Sequence, residues 1–101
     1  MARAGLNHLV TTKSQVIFNH SDGGCTSFMI HCLDGSSSPV LVNIHRMHGS
    51  NWIPVRPGRD IVFRMNHSAT GGITKVRVKT RTDTARIDYG VVAITDRSDE
   101  R

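Results

Sequence analysis

The chain is expected to be all-β, a single β-sandwich or jelly-roll-like small barrel of about seven to eight antiparallel strands, and three observations lead there. Val, Ile and Thr together fill 27 of 101 positions, whereas Glu and Gln occur once each, Lys three times and Ala five times, which is a strand inventory rather than a helical one. Apolar and polar residues alternate in short runs at intervals of roughly ten residues, and no helical period outlasts a turn. Gly, Pro, Asn, Asp and Ser cluster between the runs, where tight connections need them. No apolar run approaches the roughly 18 residues of a membrane-spanning helix, and 38% hydrophobic residues, well dispersed, exclude a low-complexity chain. At 101 residues one domain, 1–101, with a modest core is expected, its stability completed by an assembly.

The elements follow in order. Residues 1–8 are polar and charged and read as a mobile arm, as do residues 96–101. Gln15–Asn19 (QVIFN) is a strand that stops at Asp22-Gly23-Gly24, and residues 25–33 alternate with Phe28, Ile30 and Cys32 on one face and Ser27, Met29 and His31 on the other. These two runs read as a hairpin. Residues 34–39 turn the chain into a strand over residues 40–45, with Val40, Val42 and Ile44 on one face. Residues 52–55 are apolar but carry Pro54, which confines them to an edge strand or an irregular approach. Arg56-Pro57-Gly58-Arg59 has the residue types of a type II turn and leads into a strand over residues 60–65. Residues 73–80 direct Thr74, Val76 and Val78 inward and Lys75, Arg77 and Lys79 outward. Residues 86–95 become apolar on both faces toward their end, the mark of a central or partner-covered strand.

The formal net charge is +5, with ten Arg among thirteen cations, a bias toward planar multidentate contacts. The sharpest electrostatic feature is Lys75, Arg77, Lys79 and Arg81, a stripe about 20 Å long that suits a phosphate backbone or an acidic protein. Sequence-tolerant binding of single strands also asks for aromatic rings on that face. No aromatic residue interleaves with the stripe along the chain, so a solvated face or an acidic protein partner is the favoured reading. Trp52 is either a plug at the sandwich end or an interface anchor.

Catalytic and metal signatures are sparse. Cys25 and Cys32 fall in one extended run with Cα atoms roughly 20 Å or more apart, beyond disulfide reach, and read as structural thiols. No secretory signal is visible in MARAGLNHLV, so synthesis in a reducing cytoplasm is expected. His45 and His48 could converge on a metal if the chain turns between them, with His20, His31 or His67 as a third ligand in a cupin-like barrel. HExxH, Cys-x-x-Cys, G-x-S-x-G and phosphate-loop patterns are all missing, and the only Glu is Glu100. The expectation is therefore no enzyme, no catalytic residue, no cofactor and no bound metal.

The stretch Ile53-Pro54-Val55-Arg56-Pro57-Gly58-Arg59-Asp60-Ile61-Val62-Phe63-Arg64, followed by Gly72-Ile73-Thr74-Lys75-Val76 and by Asp88-Tyr89-Gly90-Val91-Val92-Ala93, resembles small all-β accessory proteins of tailed-bacteriophage virions. The likeness spans residues 40–93 and is a pattern of strands and turns. It implies a head decoration or cement protein on the capsid surface of the virion, made in the host cytoplasm and acting as a homo-oligomer, trimer or dimer, with the major capsid protein or another virion protein as partner. Contact candidates are then Arg56, Arg59, Arg64 and Trp52, with Lys75, Arg77, Lys79 and Arg81. The alternatives are a small nucleic-acid-binding β-barrel built on that stripe and a histidine-rich metal-binding barrel; no membrane partner is expected.

Overall fold

In the computed structural model, described for residues 4–19, 25–45, 47–64 and 72–94, every regular element is a strand. They are β1 (Ala4–Val10), β2 (Gln15–Asn19), β3 (Cys25–Cys32), β4 (Val40–Ile44), β5 (Ile53–Val55), β6 (Asp60–Arg64), β7 (Lys75–Thr80) and β8 (Ala85–Ile94). Two four-stranded antiparallel sheets result, with strand orders β1-β8-β3-β6 and β2-β7-β4-β5. The all-β sandwich expected from alternation and turn spacing is the observed architecture.

Side-chain alternation places the core between the sheets. Phe28, Ile30 and Cys32 of β3 and Ile87 and Tyr89 of β8 face Phe18 of β2, Val40, Val42 and Ile44 of β4 and Val76 and Val78 of β7, all buried. The rings of Phe18 and Phe28 meet at 5.3 Å between centroids, and Tyr89 stacks on Phe28 at 5.9 Å. Burying such side chains contributes about 1.5–3 kcal/mol each, which makes this two-sided apolar layer the main source of stability.

That packing overturns the expected hairpin of β2 and β3. β2 pairs with β7, β3 pairs with β6 and β8, and the two strands lie in opposite sheets. The physical reason is the Phe18–Phe28 contact: both strands send large apolar side chains to the same core, and they satisfy it from opposite sides rather than side by side. The Asp22-Gly23-Gly24 connection lies outside the described residues.

A second correction concerns the N-terminal arm. Residues 4–8 belong to β1, which pairs with β8 from Ala4↔Gly90 to Val10↔Ala85, and Val10 is fully buried. A bulge between Gly5 and His8, with Asn7 at φ 53°, breaks the period-2 pattern and hides the strand from a reading based on alternation. The bulge is held from β8, since Asn7 N–H donates to Asp88 Oδ1 at 2.8 Å and Arg86 donates to Asn7 C=O at 3.0 Å. Residues 1–3 and 96–101 lie outside the described part.

Local turn chemistry fares better. Gly58 takes φ 86° and Arg59 N–H donates to Arg56 C=O at 3.0 Å, the geometry of the expected type II turn. Gly58 N–H also donates to Cys32 C=O at 2.7 Å while Cys32 N–H donates to Arg59 C=O at 2.9 Å, so the turn runs into a glycine bulge that aims β6 along β3. β5, with Pro54, is an edge strand, and β8 is central between β1 and β3, both as expected.

Candidate functional site

The site grows out of β7. Because Val76, Val78 and Thr80 are buried, Lys75, Arg77 and Lys79 must stand on the outer face, successive cations about 6.5–7 Å apart along the strand. Each is half-buried, as long cationic side chains are when their aliphatic stems cover apolar surface and their heads stay in water. β7 is central, so the cations are flanked on both sides. Arg77 is opposite Val16 of β2 and Asn43 of β4, Lys75 is opposite Asn19, and Lys79 is opposite Leu41. None of the four strands of this sheet contains Asp or Glu, so nothing within the sheet neutralises the stripe.

Trp52 belongs to the same face, contrary to the expectation that no ring accompanies the cations. Lys79 Nζ sits 4.4 Å from the centre of the Trp52 ring, a cation–π arrangement. The β4–β5 register, Leu41↔Pro54 and Val42↔Ile53, brings the residue before β5 beside Asn43, and Asn43 is opposite Arg77. Asn43 itself is the residue that sequence reasoning missed. It is 5% exposed, and its Nδ2 donates to Gly49 C=O at 3.0 Å and to Asn51 C=O at 2.7 Å. Those two bonds fix the loop before β5 and with it the indole. A polar residue in the apolar run Val40–Ile44 was the only signal for it.

The predicted contact residues therefore separate into groups. Trp52, Lys75, Arg77 and Lys79 form one continuous patch, and Arg81 extends it just past the end of β7, exposed beside a shallow depression lined by Pro39, Leu41 and Pro54. Arg56 and Arg59 lie on the β5–β6 turn, exposed, next to a second open depression that Asp60 shares. Arg64 is on β6 in the other sheet, away from the stripe.

The histidines have separate local roles. His48 Nδ1 accepts a hydrogen bond from Ile44 N–H at 2.9 Å, its ring meets Phe63 edge-on at 5.4 Å, and burial holds its pKa below the ordinary imidazole value. His8 Nε2 pairs with Gln15 Oε1 at 2.9 Å, and its ring is edge-on to Tyr89. His45 is exposed, and His20 and His67 lie outside the described residues. Among the described residues no three His, Cys, Asp or Glu side chains gather into a metal-binding group, and Cys32 is a fully buried free thiol. What the arrangement offers chemically is a cationic, tryptophan-bearing surface.

The chain matches no protein-family model, and no curated protein or solved structure shows significant similarity to it.

Proposed function

We propose that the chain is a non-enzymatic structural protein of a virion, a decoration or cement protein that docks onto the outer capsid surface and stabilises subunit junctions. The observation that carries this reading is the outer face of the β2-β7-β4-β5 sheet, where Lys75, Arg77 and Lys79 run along β7, Lys79 lies over the Trp52 ring, and no strand of the sheet supplies a carboxylate. Trp and Arg are enriched among the residues that dominate binding energy at interfaces. Charge of one sign speeds encounter with an acidic surface and rejects basic ones. A protein that binds only the assembled shell shifts the assembly equilibrium toward it by mass action. The sandwich suits that task, because its two sheets share one apolar core.

The test is co-sedimentation with capsids of the cognate virion that the reading requires, with the capsid melting temperature read in parallel. Binding and a raised melting temperature, both lost when Lys75, Arg77 and Lys79 are replaced by Ala, support the reading. Capsids that neither retain the protein nor melt differently overturn it.

The Trp52–Lys79 pair favours one other reading, a single-stranded nucleic-acid surface, in which the stripe tracks phosphates and the indole stacks on a base. Retention on single-stranded DNA that weakens steeply with salt supports it. Indifference to DNA at low salt eliminates it.

A further inference from the structure

Among the described residues the two sheets leave four edge strands, β1 and β6 in one and β2 and β5 in the other. An edge strand presents a row of unpaired N–H and C=O groups that can template pairing with another chain, and proteins blunt such edges with bulges, proline, charged side chains or brevity. Three of these four are interrupted in the backbone or cut short. β1 is bulged between Gly5 and His8, β2 is bulged between Val16 and Phe18, and β5 is three residues long with Pro54 at its centre. β6 is guarded only by the charges of Asp60 and Arg64, of opposite sign: its five residues run in unbroken register with β3, from Ser27↔Arg64 to His31↔Asp60.

The ladder says which backbone groups β6 keeps free. Cys32 N–H donates to Arg59 C=O, so along the alternating antiparallel pattern Ile61 and Phe63 exchange hydrogen bonds with β3. Asp60, Val62 and Arg64 then direct their N–H and C=O groups away from the sheet. The side chains of these same three residues are exposed on its outer face, Val62 at 39%. Neither Asp60 nor Arg64 has a side-chain hydrogen bond or ion pair with another described residue.

We propose that β6 is a dimerisation edge, pairing antiparallel with β6 of a second copy about a two-fold axis through Val62. The strand reads Asp-Ile-Val-Phe-Arg, and that register is self-complementary. Val62 lies opposite Val62 of the second copy, and each Asp60 lies opposite the other copy's Arg64. All three opposed pairs are those with free backbone groups, so the ladder closes with six N–H···O bonds and two cross-strand charge pairs. A slip by one residue mismatches the free groups, and a slip by two leaves a charge unopposed. The apolar row Ala4, Gly90, Met29, Val62, which crosses the sheet and ends at this edge, continues into the second copy.

The inference stands on the edge alone and holds whichever macromolecule the basic face binds. It does bear on that binding. The axis runs perpendicular to the shared eight-stranded sheet, so both β2-β7-β4-β5 sheets lie on the same side of it. The dimer thus offers two basic faces to one surface, and the second contact forms at high effective concentration.

The experiment is the native mass of the full chain by sedimentation equilibrium across a dilution series. The wild-type chain is expected at twice the 11.1 kDa chain mass, dissociating on dilution. Asp60→Arg alone and Arg64→Asp alone each oppose like charges and weaken the dimer by about tenfold or more. The double variant, and an equimolar mixture of the two single variants, regain it. Val62→Pro removes an outward N–H without touching the β3 ladder, so it abolishes the dimer while the circular dichroism spectrum stays unchanged. A monomeric wild-type chain, a dimer that persists in both single variants, or a double variant that stays monomeric overturns the proposal.

Discussion

Replacing Asn43 by Ala tests whether one buried amide positions the candidate interface. The substitution keeps Cβ and the strand but removes the donors to Gly49 C=O and Asn51 C=O. A hydrogen bond of this kind contributes about 0.5–1.5 kcal/mol net, and a carbonyl left unpaired costs more where water is slow to replace the partner. Gly49 and Asn51 are exposed, so their carbonyls regain water, and the two losses together come to about 1–3 kcal/mol. For a chain of this size that lowers Tm by about 5–20 °C. The assay is built in, because Trp52 is the only tryptophan. Its emission shifts to the red as the loop loosens and the Lys79 contact is lost, and this shift is visible well below Tm. A Tm within about 4 °C of the parent, with unchanged emission, would refute the argument that Asn43 holds the indole in place.

Three further outcomes are expected. Gly58→Ala forces a side chain into φ 86° and sets a Cβ 2.5 Å from Asp34 Oδ1, so urea unfolding should show a loss of about 1–2 kcal/mol; an equal midpoint contradicts the turn geometry. Burial keeps the pKa of His48 below its ordinary 6.5, so the unfolded chain takes up the proton first. The contribution of His48 is therefore complete above about pH 6.5 and declines as pH falls toward the folded-state value, and a His48→Gln chain should lack that slope in urea titrations between about pH 5 and 7.5. Gly5→Ala places a Cβ 2.5 Å from the Tyr89 ring, which is stacked on Phe28, and should cost about 1–3 kcal/mol in thermal melts, whereas a parent-like Tm means that the ring yields freely.

Much of the fold was legible because its signals are local. The strand limits of β2, β4, β6 and β7 were read to within two residues from alternation. Pro54 marked an edge because proline has no N–H to donate, and Pro57-Gly58 marked a type II turn because proline fixes φ at one central position and glycine accepts a positive φ at the next. The misses share a different cause. β1 was concealed by its bulge, and β2 and β3 looked like hairpin partners because they are neighbours in sequence. Trp52 appeared unrelated to the stripe because 27 residues separate it from Lys79. Asn43 stood out only as a polar residue in an apolar run, because its two acceptors are backbone carbonyls of a loop whose path only the folded chain defines.

By itself, then, the sequence determined that this is an all-β chain, which side of most strands is apolar, and that a run of cations lies along one strand. Those properties follow from a period of two and from backbone restrictions, neither of which depends on distant residues. Only the tertiary structure decided which strands are neighbours, that Trp52 joins the cations, and that β6, among the described residues, is an edge strand in unbroken register. Each of these depends on pairing between segments far apart in the chain. That pairing is selected by how the apolar faces of both sheets fill a common core, with Phe18 meeting Phe28 across the sandwich rather than along a hairpin.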